Sequence, residues 1–533
     1  MNYSAASSGV SKSQRLGESQ AQQAAGNMTP REFKEANMLQ QETGQRYRDL
    51  REWLGKVERF GELKVIRGAH WDLEMAGIAE IVAREAKGVM PAMLFDDIPG
   101  FPPGYRTLFG QLESMQRLAL ILDLRLDRPD TLSSVIACRN KLKSMNPMPP
   151  RFVEDGEVLE NVDQGDKIDL FKFPLPRHHE KDGGRYFGTG HCVIIQDPDE
   201  GWVNLGTYRC MVHDKRTLGL HMSPGRHGRT MFEKYLSRSQ PMKVAVAVGV
   251  DPALFLASTM AVLAGVSEYE FAGGLKGWPI EVFEGPFTKL PIPARAEMVV
   301  EGECLPGETK EEGPFGEWAG YYANCGLTPV QEPVIHVKTV LHRKDPILTC
   351  AHPTKPPGLN LAQCLFRSAM MWDELEKAGV PDIRGVWCHM VGAGRLFFTV
   401  SIKQRYPGHS RQAGMIASQC GTGVYVGRYT VVVDDDIDVT DLWDVIWAVV
   451  TRADPERSIE IIRRCRSGSA DPAVPPDQKS STHNPSAVFT SKAVIDACWP
   501  YEWKDRAYPV AQISPDLRGQ LLTKWGGELK GIL

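Results

Sequence analysis

The run Lys243-Val-Ala-Val-Ala-Val248 is one of several short apolar segments that glycine and proline separate between Gly188 and Val340. The others read His191-Cys-Val-Ile-Ile-Gln196, Ile280-Glu-Val-Phe283 and Ala296-Glu-Met-Val-Val-Glu301. Short runs of this composition predict β-strands. Closely spaced strands joined by turns are typical of a barrel or a sandwich. The sequence therefore predicts a β-rich centre for this chain.

Near the end of the β-rich region lies the stretch Glu312-Gly-Pro-Phe-Gly-Glu317. Its glycines and proline favour a turn over a helix or a strand. Such a turn can direct both carboxyl groups into one space, where repulsion and burial keep one of them protonated near neutral pH. This arrangement suits a general acid with a supporting partner. The alternative is a surface turn with two solvated acids.

Upstream of the turn, three residues offer oxygen and nitrogen ligands: Asn204, His227 and Glu268. An amide, an imidazole and a carboxylate suit a divalent ion such as Mn²⁺ or Mg²⁺ with a phosphate completing its shell. Arg209 has a planar guanidinium that can bind a carboxylate through two hydrogen bonds. Alternative ligands lie close by, because His221 precedes His227 and Glu270 follows Glu268. If the latter segment is a strand, both glutamates face the same side, so periodicity does not choose between them.

In this order, the segments around Asn204, His227, Glu268 and Glu312 to Glu317 resemble the UbiD family of decarboxylases, which use prenylated FMN. The resemblance covers nearly the whole chain. It starts at Tyr47-Arg-Asp-Leu-Arg-Glu-Trp-Leu and runs past Asp434-Asp-Asp-Ile-Asp438 and Val445-Ile-Trp-Ala-Val-Val-Thr-Arg452. It implies an α/β (α+β) multidomain fold with an N-terminal α/β domain, a central split β-barrel flavin-binding domain and a C-terminal α/β oligomerisation domain.

The resemblance also implies the roles of individual residues. Arg209, Glu312 and Glu317 match the catalytic Arg-Glu-Glu set, in which Arg209 orients the substrate carboxylate, Glu312 holds Arg209, and Glu317 protonates carbon after CO₂ leaves. Asn204, His227 and Glu268 would bind Mn²⁺ (or Mg²⁺), with K⁺ nearby. The cofactor-binding set implied by the family is Asn204, Gly206, Thr207, Tyr208, Arg209, Arg226, His227, Met260, Glu268 and Lys403, the last reaching the cofactor phosphate.

The implied reaction is a reversible, non-oxidative decarboxylation of an aromatic or heteroaromatic, α,β-unsaturated acid, either free or as an aryl-CoA thioester. The electron pair left by CO₂ needs a sink that no side chain supplies, and prenylated FMN would provide it. A flavin prenyltransferase of the UbiX type would supply this cofactor. Two alternatives stay open: an FMN-binding oxidoreductase, because split barrels also host FMN reductases, and a non-catalytic assembly protein.

The regions that flank the β-rich centre suggest five segments: a disordered tail at 1–30, an N-terminal α/β domain at 31–150, the split barrel at 151–340, a C-terminal α/β domain at 341–480, and a loop with a helical tail at 481–533. In the N-terminal domain, Leu50, Trp53, Leu54 and Val57 recur at helical spacing and predict an apolar stripe. The segment 145–150 is rich in proline and marks a boundary. The family resemblance predicts a homo-oligomer, a dimer or a hexamer, built through the C-terminal domain.

Composition limits the classes of function. The chain has 62 basic and 66 acidic residues and a net charge of -4, which gives no electrostatic basis for binding nucleic acid. No apolar run reaches the length of ~18 residues that a membrane span requires. The 11 cysteines show no Cys-x-x-Cys spacing and no disulfide framework. We therefore expect a cytoplasmic enzyme.

Overall fold

The computed structural model describes residues 46–86, 89–124, 126, 130–187, 189–260, 262, 265–324, 326–356, 358, 360–479, 488–503 and 506–530. The tail predicted at 1–30 lies outside these residues, as do positions 481–487 of the predicted loop. Within the described residues, no helix is long and apolar enough to cross a membrane. The strands form four sheets, and helices accompany three of them, so the mixed α/β multidomain class is confirmed.

The N-terminal unit begins with helix α1 (Leu50–Arg59), which buries the predicted stripe of Leu50, Trp53, Leu54 and Val57. Asp49 starts this helix, because its side chain accepts a hydrogen bond of 2.9 Å from the backbone N–H of Glu52. Three more helices belong to this unit: α2 (Glu74–Glu85), α3 (Met115–Leu122) and α4 (Thr131–Ser144).

The first sheet has the strand order β1-β2-β3-β16. Its strands are β1 (Leu63–Arg67), β2 (Ala92–Asp96), β3 (Arg106–Phe109) and β16 (Ile347–Cys350). β16 runs parallel to β3, with Cys350 opposite Phe109. The predicted boundary at 341 is therefore wrong for this strand, since Ile347–Cys350 completes the N-terminal sheet rather than opening the C-terminal unit. Sequence distance concealed the pairing.

The central sheet has nine strands, and seven of them follow the order β7-β6-β10-β13-β15-β9-β8, while β14 and β5 pair with β15. They are β5 (Asn161–Gln164), β6 (His191–Gln196), β7 (Val203–Gly206), β8 (Val212–Asp214), β9 (Thr217–Gly219), β10 (Met242–Val248), β13 (Met298–Cys304), β14 (Thr309–Glu312) and β15 (Val330–His342). The pairings among the described residues form an open order and do not close into a barrel. The β-rich centre is confirmed, and the split barrel stays a prediction.

Three helices and a small sheet accompany the central sheet. The helices are α5 (His227–Ser237), α6 (Pro252–Ser258) and α7 (Glu268–Lys276), and the strands of the small sheet are β4 (Arg151–Phe152), β11 (Glu281–Glu284) and β12 (Pro291–Pro293). The inner faces of β6, β10 and β13 are buried, including Val193, Val246 and Val300. This apolar sheet supports the loops that carry the polar residues described below.

The C-terminal unit is a five-stranded sheet with helices. Its strands, in the order β17-β18-β19-β21-β20, are β17 (Ile383–Cys388), β18 (Phe397–Ile402), β19 (Tyr429–Asp434), β21 (Phe489–Asp496) and β20 (Ile459–Arg466). The helices are α8 (Leu361–Lys377), α9 (His409–Gln419), α10 (Gly421–Val424), α11 (Leu442–Arg452), α12 (Pro455–Ser458), α13 (Pro476–Lys479) and α14 (Pro515–Trp525). β21 lies between β19 and β20, so the predicted boundary at 480 divides a sheet and is wrong there.

Candidate active site

A cavity of about 540 Å³ lies where the three units meet, and this volume is typical of a small-molecule site. Of the residues predicted for the site, the cavity is lined by Asn204, Gly206, Thr207, Tyr208, Arg209, Arg226, His227, Met260, Glu268 and Glu317. Glu312 lies behind Arg209 and does not line the cavity. Residues separated by more than a hundred positions in sequence therefore converge on one space.

Arg209 binds both glutamates of the predicted turn. Its Nε and Nη2 donate to Oε1 and Oε2 of Glu312 at 2.9 and 2.7 Å, and its Nη1 donates to Oε1 of Glu317 at 2.5 Å. The pairing with Glu312 is bidentate, which fixes the plane of the guanidinium. We call Arg209, Glu312 and Glu317 the acid–base centre. Its geometry excludes the alternative of two solvated acids on a surface turn.

The turn itself is anchored from the segment that follows His179. The backbone N–H of Gly183 donates to the carbonyl of Pro314 at 2.8 Å, and the hydroxyl of Tyr186 donates to the same carbonyl at 3.2 Å. The backbone N–H of Gly316 donates to Oδ1 of Asp182 at 3.3 Å. A Cβ at Gly183 would lie 1.9 Å from the carbonyl oxygen of Gly313, so only glycine permits this close approach.

Burial and charge act in opposite directions in the acid–base centre. Burial alone favours a neutral Arg209, but Glu312 and then Glu317 outweigh it and hold the pKa of Arg209 above its usual value. Burial likewise acts to raise the pKa of the Glu312 carboxyl, but Arg209 prevails and holds that pKa below its usual value. Glu312 is therefore a permanent carboxylate partner of a permanent cation.

Asn204 and Glu268 meet in the buried wall of the cavity. The side-chain amide of Asn204, on β7, donates to Oε1 of Glu268 at 2.9 Å, and the backbone N–H of Leu205 donates to Oε2 at 2.7 Å. Glu268 is 2% exposed, and burial raises the pKa of its carboxyl to about 7. Among the described residues, no ion pair involves Glu268, so a cation bound there would compensate a buried charge.

The structure also distinguishes the alternative ligands. Glu268 and Glu270 both lie in the first turn of α7, where residues two apart face different directions. The segment is a helix and not a strand, and of the two glutamates Glu268 lines the cavity. His221 and His227 both line the cavity. The Nδ1 of His221 lies 2.7 Å from Oε1 of Glu332, which engages that ring elsewhere, whereas His227 begins α5 and packs edge-on against Trp202.

Tyr208 joins Asn204 to helix α5. Its hydroxyl donates to Oδ1 of Asn204 at 3.0 Å and accepts a hydrogen bond of 2.9 Å from the backbone N–H of Gly228. The Tyr208 ring lies so close to Gly206 that a Cβ there would meet it at 2.3 Å. Thr207 is tied to α6, because its hydroxyl donates to the carbonyl of Ser258 at 3.2 Å. These contacts fix the backbone between Asn204 and Arg209.

Four arginines besides Arg209 line the cavity, and three of them interact electrostatically: Arg226, Arg367 and Arg395. We call them the arginine cluster. Burial first, and then the charges of Arg367 and Arg226, lower the pKa of Arg395 to about 9. Among the described residues, no ion pair involves any of the three. A partly buried group of like charges of this kind is suited to binding an anion.

Lys403 is not part of this site. It follows β18, its side chain is exposed, and it does not line the cavity. The prediction that Lys403 reaches the cofactor phosphate is therefore wrong. The C-terminal unit instead presents Arg367 from α8 and Arg395 from the turn before β18. Lys403 follows the end of β18 and is exposed to solvent, whereas Arg395, before the start of β18, lines the cavity.

Several cavity residues outside the central region were not predicted from the sequence. Gln363, Arg367 and Met370 line the cavity from α8, and their spacing of four and three places them on one helical face. Gln363 and Arg367 are two polar residues on one face of a helix that otherwise buries apolar side chains, and this pattern could have predicted that they face a polar cavity. Gln111 and Glu113, from the loop after β3, also line the cavity, and no pattern in the sequence distinguishes them from surface residues.

Fold and site together define an α/β enzyme whose cavity carries an arginine with two carboxylates beside a wall of oxygen and nitrogen ligands. Models of three successive domains of 3-octaprenyl-4-hydroxybenzoate carboxy-lyase match the chain. The N-terminal domain matches residues 54–137, the Rift-related domain residues 151–356, and the C-terminal domain residues 361–497. The chain belongs to the UbiD family of carboxy-lyases, and the resemblance inferred from the sequence is confirmed.

Individual relatives agree with this assignment. The chain is 33% identical over 421 residues to a pyrrole-2-carboxylic acid decarboxylase of Pseudomonas aeruginosa, which covers 76% of this chain and 83% of that protein. It is similar to the UbiD-class enzyme HmfF from Pelotomaculum thermopropionicum in complex with FMN, with a TM-score of 0.75, 28% identity and coverage of 90% of this chain and 100% of that one. A 3,4-dihydroxybenzoic acid decarboxylase from Enterobacter cloacae matches with a TM-score of 0.75, 26% identity and coverage of 91% and 99%.

Proposed function

We propose that this protein catalyses the reversible, non-oxidative decarboxylation of an aromatic or heteroaromatic carboxylic acid with prenylated FMN in the cavity. One observation carries the proposal: Arg209, clamped by Glu312, also holds Glu317 at the cavity wall. An acid-binding cation and a proton donor are thereby placed side by side. Family membership and relatives named as decarboxylases support the same reaction, and a CoA thioester of an aromatic acid is a second form in which the substrate could enter.

The residues present fit a flavin nucleotide. HmfF has been solved with prenylated FMN and with FMN, and we infer that the nine-stranded sheet here is the split-barrel unit that holds the cofactor. The arginine cluster would bind the phosphate, and the Asn204–Glu268 wall with His227 would hold Mn²⁺ or Mg²⁺, with K⁺ nearby. When bound, the prenylated flavin supplies the electron sink that decarboxylation at an sp² carbon requires.

Arg209 would orient the substrate carboxylate. Two of its nitrogens are committed to Glu312, so the guanidinium keeps its plane and its charge as substrate enters. The ring of Phe315 lies 5.0 Å from the guanidinium carbon and covers one of its faces. The incoming carboxylate must therefore approach at the edge near Nη1, where Glu317 now lies.

Glu317 would deliver the proton to carbon after CO₂ has left. In the absence of substrate, Oε1 of Glu317 accepts a hydrogen bond from Nη1 of Arg209. A substrate carboxylate that competes for the same edge of Arg209 favours a proton on one of the two acids. Substrate binding would thus prepare Glu317 as a general acid. In the carboxylation direction, the same residue would accept the proton that leaves the carbon.

We also propose a homo-oligomer, a dimer or a hexamer, built through the C-terminal unit. Helix α11 presents Trp443, 86% exposed, and Val450, 72% exposed, on its outer side. Apolar groups this exposed mark an interface, and an evolved dimeric form of HmfF is a structural relative. In light scattering we expect at least twice the chain mass of 59.3 kDa, and the double variant Trp443→Glu, Val450→Glu should shift the mass toward one chain. A wild-type monomer would contradict the proposal.

The reaction is tested by co-expressing the protein with a flavin prenyltransferase of the UbiX type and measuring CO₂ release from a panel of aromatic acids. The extracted cofactor is identified by absorbance and mass. We expect prenylated FMN and release of CO₂ from at least one acid. Plain FMN with NADPH oxidation would establish the oxidoreductase alternative, and a protein that retains no flavin under these conditions would indicate an assembly role.

A further inference from the structure

Gln111 is a buried amide that the acid–base and cofactor roles leave unused. It lies in the loop after β3, is 5% exposed and lines the cavity. Both its Nε2 and its Oε1 are buried and lack a hydrogen-bond partner among the described residues. Most buried side-chain amides have partners in native proteins, so an exception that faces a cavity calls for a ligand or water.

A second glutamine in the same cavity shows what a satisfied amide looks like here. Gln363, on α8, donates from Nε2 to the carbonyl of Thr259 at 3.2 Å and to its hydroxyl at 3.1 Å. The chain therefore provides partners for one cavity amide and leaves the other open. Glu113, two residues beyond Gln111, is also committed, because Oε2 accepts a hydrogen bond of 3.0 Å from the backbone N–H of Leu361 at the start of α8.

Gln111 lies on the side of the cavity near the turn that carries Glu312 and Glu317. β3 and β16 are parallel, with Phe109 opposite Cys350, so both chains leave the sheet at the same end. Ala351 and Pro353, which follow β16, line the cavity with Gln111. The Pro353 carbonyl lies 3.9 Å from the position of a Cβ on Gly316, the residue before Glu317. The arginine cluster, by contrast, comes from the residue before α5 and from the C-terminal unit.

We propose that Gln111 is a specificity-determining residue that hydrogen-bonds a polar group on the substrate ring. This inference rests on the proposed decarboxylase function. An amide with a free donor and a free acceptor pairs with a ring hydroxyl or a ring N–H. The substrate class is thereby narrowed to aromatic acids that carry a hydroxyl or heteroaromatic acids that carry an N–H group.

The physical reason for discrimination is the cost of an unpaired amide. A site built to hydrogen-bond a substrate group rejects the analogue without it, because the buried partner is then left unsatisfied. An unsubstituted acid would bury Gln111 without compensation. An apolar residue at this position removes that penalty and therefore removes the preference.

The test compares the wild-type protein with Gln111→Met, which keeps the side-chain length without the amide. Two acid pairs differ by one polar group: 4-hydroxybenzoic with benzoic acid, and pyrrole-2-carboxylic with thiophene-2-carboxylic acid. Calorimetry measures binding to protein loaded with unmodified FMN, and CO₂ release measures kcat/KM with the prenylated cofactor. Gln363→Met is the matched control, since its amide already has partners within the chain.

We expect the wild type to prefer the polar member of at least one pair by about 100-fold and Gln111→Met to lower that ratio at least about tenfold. Gln363→Met should change both members of a pair by the same factor. Flavin content should be unchanged in Gln111→Met, and its thermal stability should not fall, because the variant removes an unsatisfied group.

The outcomes separate the two proposals. CO₂ release without preference for the polar acids, or with the same preference in Gln111→Met, would overturn the role of Gln111 and leave the decarboxylase intact. Selective binding that Gln111→Met abolishes, without CO₂ release from any acid, would support Gln111 and overturn the reaction. Loss of flavin from Gln111→Met would assign the amide to the cofactor, and an equal effect on every acid would assign it to a bound water; either result overturns the proposal.

Discussion

The acid–base centre and the arginine cluster occupy one cavity but satisfy their charges differently. In the acid–base centre, Arg209 holds two carboxylates through three hydrogen bonds. In the arginine cluster, burial first, and then the charges of Arg367 and Arg226, lower the pKa of Arg395 to about 9, and none of the three forms an ion pair with a described residue. One region is complete within the chain, and the other requires a ligand.

The difference shows how such a site divides its work. Charges that are paired before substrate arrives are preorganised, so they position reacting groups without further rearrangement. Charges left unpaired destabilise the empty protein and are compensated only when a ligand of the opposite charge binds. This contrast supports the proposal that the first region transfers the proton and the second retains an anionic cofactor.

The largest effect is expected from Glu317→Gln, which removes the proton donor from the complete region. Decarboxylation should fall on the order of 10²-fold or more, while fold and flavin content are unchanged because Arg209 stays paired with Glu312. CO₂ release and the flavin spectrum measure the two quantities. Glu311→Gln is the matched control, since this exposed acid lies beside Glu312 and should leave the rate unchanged. Near wild-type turnover by Glu317→Gln would remove Glu317 from the mechanism.

How far the sequence predicted this centre depends on the kind of information each residue carries. Glu312 and Glu317 could be predicted because a glycine–proline turn with two acids is visible locally, and the family resemblance added Arg209. The stripe of α1 was found because helical periodicity is also local. The turn and the apolar stripe of α1 can both be recognised from a few neighbouring residues or from a known motif.

The rest of the site could not be read in this way, because it depends on pairings distant in sequence. β16 joins β3 across more than two hundred residues, and this pairing brings Gln111 and Glu113 to the cavity. The family resemblance implied Lys403, which follows β18, yet Arg395 before that strand lines the cavity. Tertiary packing decides which end of a strand faces a cavity, and the periodicity of the sequence does not predict that end.

The second prediction concerns Asn204, His227 and Glu268, which, like the arginine cluster, would be completed by a bound ion. Glu268→Ala or His227→Ala removes one of the three proposed protein ligands, so affinity for Mn²⁺ should fall by about 10- to 100-fold. Metal analysis and flavin content are read on the same preparation, and both should fall together if the metal bridges the cofactor phosphate. Glu270→Ala is the control, because this residue lies on the same helical turn outside the cavity. Unchanged metal and flavin in both variants would reject the assignment.

The third prediction separates the arginine cluster from Lys403. Arg395→Met removes one of three like charges, so the flavin-free protein should become more resistant to thermal unfolding while its affinity for FMN falls by about tenfold. The opposite directions of the two changes are the diagnostic feature. Lys403→Met should alter neither quantity. A stable variant that binds FMN as the wild type does would show that the cluster has another ligand.

The smallest effect is a pH dependence of stability. Burial raises the pKa of Glu268 and of Glu113 to about 7 in the folded protein, above the usual value of about 4.5 for an unfolded glutamate. Between these values the unfolded chain has released a proton that the folded protein retains. The stabilising contribution of each carboxyl is therefore complete below about pH 4.5 and is lost as the pH rises through about 7. At most, the slope is on the order of 1 kcal/mol per pH unit for each carboxyl.

Denaturation curves between pH 5 and 8 measure the free energy of unfolding and test this dependence. They are recorded on the metal-free protein and again after Mn²⁺ is added. Glu268→Gln and Glu113→Gln should each flatten it, because each removes one titrating group. Mn²⁺ binds the ionised carboxylate, so its stabilising effect should grow with pH in the wild type and in Glu113→Gln but be largely lost in Glu268→Gln. An equal Mn²⁺ response in all three proteins would mean that Glu268 is a buried acid without a metal, and the contrast between the two regions of the cavity would then rest on the arginine cluster alone.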